Sequence, residues 1–240
     1  MSDPAAGSGA VAFDEAPPLA PRGTVVVLLG RGEDPSVYER LGRRLSGDAW
    51  RVRVTSGHDD ETVRSEVELL LADPAAVAPV VLLGSDSGAA RAVRLAVGAD
   101  VAAVVLGGLL PADGATASFG DFDAELVART SCPAHRARLS ADPAFVRNAL
   151  AVTLSPEDLD APLSAVGVPV LALHGGVDPI APPDAAVARY RGAADVEVFT
   201  TTGGVHDVFN DITHRVSSAL VVLFLERVKA GRPLVQQVPG

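Results

Sequence analysis

The sequence predicts an α/β fold: a three-layer α/β/α sandwich around a mostly parallel sheet, interrupted by one helical insertion. Three observations predict it. Residues 24–29, 80–83, 101–106 and 168–173 are short, continuous, largely aliphatic runs, as expected of strands buried on both faces. The segments between several of these runs repeat apolar residues at helical spacing. The strand–helix–strand order recurs, and right-handed crossovers then set helices on both faces of one sheet.

The elements follow in chain order. Residues 1–22 are rich in Ala, Gly, Pro, Asp and Ser and read as a flexible arm with one short edge strand near 10–13. The strand at 24–29 ends in Gly30-Arg31-Gly32-Glu33, and a helix is expected over 35–45 with Val37, Leu41 and Leu45 on one face. A strand at 51–54 leads through a loop to a helix capped by Asp59 or Asp60, with Val63, Val67 and Leu70 inward. The strand at 80–83 passes directly into a helix over 87–97, and a buried strand at 101–106 ends at Gly107-Gly108. Residues 111–165 break the rhythm. They carry Phe119, Phe122 and Phe145 but no strong β run, and helices are expected near 122–130 and 142–150. The sheet resumes at 168–173, followed by a helix over 183–191 and a strand at 196–199. A closing helix over 207–228 carries Val208, Ile212, Val216, Leu220 and Leu223. The last nine residues are expected to fray. The core thus comprises 23–110 and 166–231, with 111–165 inserted between two sheet strands.

Composition narrows the function. At 240 residues the chain suits one large α/β domain. A net charge of −10 argues against nucleic acid and anionic membranes as partners. A small-molecule substrate is expected, and a homodimer is compatible with the sequence. Cys132 is the single cysteine, which fits a reducing compartment. With no basic-then-apolar leader and no run long enough to span a bilayer, a cytoplasmic location is expected. The histidines are scattered and lack metal-ligand spacing, so neither a metal nor a cofactor is expected.

The chemistry centres on Gly84-Ser85-Asp86-Ser87-Gly88. A strand that breaks sharply into a helix presents one side chain at the apex, and Gly on either side lets the backbone pass close to itself. The apex residue is Asp86. Asp178 and His206 come later in the chain, each just past a predicted strand, and in a parallel sheet those strand ends share one edge. Gly84-x-Asp86-x-Gly88, the segment Leu173-His174-Gly175-Gly176-Val177-Asp178 and the loop Gly203-Gly204-Val205-His206 together resemble the nucleophile elbow, acid turn and histidine loop of the α/β-hydrolase superfamily. Asp at the elbow is similar to the haloalkane dehalogenase and epoxide hydrolase branches. Ser87 stands where the former usually carry Trp, and 111–165 holds no Tyr such as the latter use.

The resemblance implies an enzyme with a small helical cap over 111–165 and an Asp86–His206–Asp178 triad. Asp86 is the expected nucleophile and His206, oriented by Asp178, the base that activates water. The backbone N–H groups of Arg31 and Ser87 are the expected oxyanion donors, with the Arg31 side chain at the site mouth. Gly30, Ser85, Cys132 and His135 are candidate pocket residues. The expected activity is cofactor-free hydrolysis of a small to medium apolar substrate. Two alternatives stand beside it. In one, Asp86 acts as a base in a lyase, isomerase or cyclase, its pKa raised by an apolar pocket. In the other, the fold is a non-catalytic binding protein.

Overall fold

The computed structural model describes residues 11–114 and 117–234; the expectations for the first ten residues and for 235–240 lie outside the described residues. Its elements are β1 (Val11–Phe13), β2 (Gly23–Leu28), α1 (Glu39–Gly47), β3 (Trp50–Val54), α2 (Asp60–Ala72), β4 (Val80–Ser85), α3 (Ser87–Ala96) and β5 (Ala103–Gly107), then α4 (Phe122–Arg129), α5 (Pro133–Ala141), α6 (Pro156–Leu159), β6 (Val170–Gly175), α7 (Pro183–Tyr190), β7 (Val196–Thr201) and α8 (His214–Ala230). The seven strands form one sheet in the order β1-β3-β2-β4-β5-β6-β7. Only β1 runs antiparallel, on the edge, with Phe13 opposite Val52; the other neighbouring pairs are parallel. The α/β sandwich expected from the sequence is the fold observed.

The strands are apolar throughout because both faces are covered. Val25, Val27, Val81, Leu83, Val105 and Leu171 face one way and pack with Leu41 and Leu45 of α1 and Val221, Phe224 and Leu225 of α8. Their neighbours Val26, Leu28, Leu82, Val104 and Ala172 face α2, α3 and α7. The alternation is the period of two that a pleated strand imposes. Each such Val or Leu contributes about 1.5–3 kcal/mol of burial, which fixes the register of the central strands.

Several boundaries differ from the sequence expectation. Residues 35–38 form a 3₁₀ turn capped by Asp34 before α1 begins. The helix expected over 142–150 is absent. Instead Pro133 starts α5 at its first position, where a proline's missing N–H costs nothing, and 149–151 form only a 3₁₀ turn after Asn148 in a left-handed conformation. The closing helix begins at His214 rather than 207, because the Asp211 carboxylate accepts from the Ser131 and Val205 N–H groups and holds 207–213 in turns. Ile212 and Val216 are accordingly 62% and 58% exposed.

The bend after β4 aims one side chain at the carboxyl edge of the sheet. Asp86 has φ 51° and ψ −117°, a strained conformation for a residue with a side chain. A Cβ on Gly84 would lie 2.1 Å from the Gly88 carbonyl oxygen, and one on Gly88 would lie 2.3 Å from that of Leu28. Glycine is required at both places because backbone, not side chain, fills the space.

Candidate active site

Asp86, Asp178 and His206 come from three separate strand ends on the carboxyl edge of the sheet, and the structure brings them into contact. The Nδ1 of His206 lies 2.8 Å from Oδ2 of Asp178. Its Nε2 lies 3.3 Å from Oδ1 of Asp86. The other oxygen of Asp178 accepts from the Ile180 and Ala181 N–H groups at 2.8 and 3.0 Å, so the carboxylate cannot rotate away.

His174 sits beneath, its Nε2 2.8 Å from the Ala181 carbonyl oxygen and 3.2 Å from Asp178. Because a carbonyl only accepts, Nε2 carries the proton. Its Nδ1 then accepts from the Tyr190 hydroxyl at 3.1 Å, and that hydroxyl accepts from the Leu109 N–H. This chain braces Asp178 from behind. Nothing in the spacing of Tyr190 singled it out, since it stands on a helix sixteen residues after His174.

Arg31 is the main departure from the sequence reading. Its side chain lines the outer cleft and also turns inward onto Asp86, a contact that the sequence reading did not include. Its Nε donates to Oδ2 and its Nη2 to Oδ1 of Asp86, both at 2.8 Å. Its backbone N–H also donates to Oδ2, at 2.9 Å. The third guanidinium nitrogen, Nη1, donates to the carbonyls of Leu150 and Val152 at 3.0 and 2.6 Å. Asp86 is 1% exposed and Arg31 9%. The acceptor positions of the Asp86 carboxylate are therefore filled from within the chain.

The charges are set by this geometry. Burial alone would raise the pKa of Asp86, but Arg31 and His206 outweigh it and hold the carboxyl well below the ordinary range. This reverses the sequence expectation of a raised pKa, because that reading did not include a guanidinium in the pocket. Asp178 is likewise lowered: burial opposes ionisation, but His206 and His174 stabilise the charge. For His206, burial favours the neutral ring, yet the two carboxylates prevail and push its pKa up to about 10. At neutral pH the site holds an imidazolium between two carboxylates, with a guanidinium beside one of them.

The turn that carries Arg31 is itself held. Buried Glu33 accepts from the Gly30 N–H at 2.8 Å and from the Tyr38 hydroxyl at 2.7 Å. Burial, with the Asp207 charge adding, raises its pKa to about 7. Arg129 donates to the Arg31 carbonyl and pairs with Glu125 at 3.0 Å, and Glu125 accepts from the Asn148 and Leu150 N–H groups. One buried network thus fixes both Arg31 and the segment whose carbonyls Arg31 meets.

A cleft of about 320 Å³ opens on the outer side of Arg31. Its lining includes Gly30, Arg31, His58, Asp60, Ser87 and Arg91, and from the 111–165 segment Val146, Ala149, Val152, Leu154 and Asp158. Of the candidate pocket residues only Gly30 reaches it. Ser85 is buried at the end of β4. Cys132 stands just before α5, near Arg40, and His135 is buried against Asp207 at 3.0 Å. The larger groove, about 560 Å³ between α2 and α3, contains none of the triad residues. Among the described residues no cluster of His, Cys, Asp and Glu is arranged to hold a metal, and no helix is long and apolar enough to cross a membrane.

The sheet order, the strained bend and the three strand ends define the α/β-hydrolase fold, and the chain has it. No protein-family model matches the sequence, and no curated protein matches it. Solved structures do. A monoacylglycerol lipase from Paleococcus ferrophilus superposes with a TM-score of 0.70 at 17% identity, covering 92% of this chain and 98% of that one. A soluble variant of monoglyceride lipase from Saccharomyces cerevisiae gives 0.71 at 16%, covering 91% of each. An esterase from Rhodococcus gives 0.67 at 17%, covering 91% and 95%. At these identities the likeness is one of fold.

Proposed function

We propose that the protein is a hydrolase that attacks an sp³ carbon through Asp86. The observation that carries this is the placement of one imidazole between two carboxylates, at 2.8 and 3.3 Å. In the first step an Asp86 oxygen forms a bond to the substrate carbon. The bond to the leaving group breaks, and the leaving group departs with the electron pair, taking the Nε2 proton of His206 if it is basic; with a halide that proton passes to solvent instead. Asp86 is now a neutral ester. With one of the two carboxylates gone, the pKa of His206 falls, and the ring becomes a base where it was an acid.

In the second step neutral His206 takes a proton from water as the water oxygen attacks the ester carbonyl. The oxyanion is met by the N–H groups of Arg31 and Ser87. Collapse breaks the bond between the acyl carbon and the product oxygen, and His206 returns the proton to that oxygen. The Asp86 acid so formed passes the second water proton to His206, which restores the imidazolium and the carboxylate, now with one oxygen from water. The similar solved structures include lipases and esterases. Attack by a carboxylate on an ester carbonyl would give an anhydride, which favours a haloalkane- or epoxide-type electrophile here. The base-only alternative is disfavoured, because a carboxylate held by Arg31 and His206 is a weak base.

The test is turnover of a haloalkane and epoxide panel in heavy-oxygen water, with the Asp86 peptide weighed by mass spectrometry. Label entering Asp86, and loss of turnover in Asp86→Asn, are expected. Unlabelled Asp86 after many turnovers, or an unaffected Asp86→Asn, overturns the proposal. One observation favours a second reading, a binding protein without catalysis: Arg31 and His206 already fill the acceptor positions of Asp86. Absence of turnover across the panel, together with retained ligand binding, would decide for it.

A further inference from the structure

A nucleophilic Asp86 meets a problem of charge. It can attack only if one of its oxygens is released, and Arg31 holds both. Releasing them strips the Nε–Nη2 edge of a 9%-exposed guanidinium of its counter-ion. Breaking a buried pair by removing one partner is strongly unfavourable. Resting on the hydrolase reading, we propose that the ligand is a small organic carboxylate, and that its carboxylate takes the Arg31 edge that Asp86 holds in the free protein.

Four features carry this. The Nε–Nη2 edge already binds a carboxylate in two-point form, so its fit to that group is built in. The guanidinium does not depend on Asp86 for its position, because Nη1 is fixed by the Leu150 and Val152 carbonyls. Exchange of one carboxylate for another therefore leaves Arg31 where it is. Arg31 is also the charged side chain that both touches Asp86 and lines the cleft, so a ligand entering there meets it before reaching Asp86. Finally, Asp86 is not left alone on release: the His206 Nε2 stays within reach at 3.3 Å. The freed Arg31 N–H then becomes available to an oxyanion. Val146, Ala149, Val152 and Leu154 in the lining suit a short apolar tail, and the two carboxylates of the same lining, Asp60 and Asp158, are already paired with Arg91 and Arg94. Arg31 on this account determines specificity, and it revises the apolar substrate expected from the sequence.

The experiment compares hexanoate with hexanamide, equal in shape and different in charge, by isothermal titration calorimetry at fixed ionic strength. Asp86→Asn removes the internal competitor and keeps its volume. Hexanoate should bind this variant roughly tenfold or more tightly than it binds wild type, as expected for one charge-assisted pair. Hexanamide should show no such gain. Arg31→Lys in the Asp86→Asn background keeps the charge and loses the two-point edge, and should undo the gain. If Asp86→Asn does not fold, the thermal midpoint of wild type reads the same preference, rising with hexanoate and not with hexanamide. Equal binding of acid and amide, or a gain that survives Arg31→Lys, overturns the inference. Heavy-oxygen labelling is scored separately. Label in Asp86 without carboxylate preference leaves the hydrolase standing and removes this inference, and carboxylate preference without label does the reverse.

Discussion

The pair of Arg31 with Asp86 should be among the most costly contacts in the molecule to break singly and among the cheapest to remove whole. Arg31→Met leaves the Asp86 carboxylate, 1% exposed, without the guanidinium that donates to both of its oxygens. Removing one partner of a buried pair costs about 3–5 kcal/mol. For a chain of this size each kcal/mol lowers the thermal midpoint by about 2–4 °C, so the drop should be roughly 6–20 °C. Asp86→Asn should cost a similar amount, because it strands Arg31. The double variant should lose far less than the sum, since neither charge then lacks a partner, and the coupling should exceed about 2 kcal/mol. Urea unfolding of the four proteins, followed by far-ultraviolet circular dichroism with the slope m checked for constancy, reads these values. A cost below about 1 kcal/mol for Arg31→Met, or additive single costs, would refute the buried pair as described, because an exposed pair is worth only about that much.

Other outcomes rest on the same geometry. The pKa of His206 is raised to about 10, so its contribution to stability is fully present below the ordinary histidine value and is lost as pH rises through about 10. The stability gap between wild type and His206→Gln should therefore narrow between pH 7 and pH 10. In Asp86→Asn the His206 ring, followed by NMR, should titrate more than about one unit lower than in wild type. Glu33 has the same sign in a lower pH window. Its pKa is raised to about 7, so the fold loses stability as pH rises from the ordinary glutamate value to about 7. Glu33→Gln should be close to neutral at pH 4.5 and more stable than wild type by about 3 kcal/mol at pH 8, measured by urea titration. Gly88→Ala should fail to accumulate as folded protein in a solubility and circular dichroism assay, because its Cβ meets the Leu28 carbonyl oxygen at 2.3 Å.

The sheet was legible because its strands obey a strong local rule. A run such as Val25-Val26-Val27-Leu28 is buried on both faces, and no exposed element tolerates that composition. The bend at Asp86 was legible for a similar reason, since the two glycines flanking it answer to close backbone contacts. The 111–165 segment resisted reading because its helices are short and are held by contacts distant in sequence. Its turn at 148–151 depends on Glu125 and on Arg31, 119 residues away. Periodicity carries no trace of such contacts. The same holds for the end of the chain: Ile212 and Val216 continue an apolar helical pattern, yet Asp211 spends its carboxylate on Ser131 and Val205 and the helix starts later.

Arg31 shows why spacing alone misleads about electrostatics. The sequence supplies a carboxylate at the bend and an arginine in the turn after the first strand. It does not say which way a long side chain points. Turned outward, Arg31 would have left Asp86 to the apolar surroundings that raise a pKa, and proton abstraction would have been the natural reading. Turned inward, the same residue keeps Asp86 ionised, and Asp178 together with Asp86 makes His206 a cation. The choice between the two is made by Leu150 and Val152, whose carbonyls hold the far end of the guanidinium, and by Glu125 and Arg129, which hold that segment and the Arg31 backbone together. The chemistry open to Asp86 is thus set in part by Glu125, Arg129, Leu150 and Val152, residues far along the chain from it.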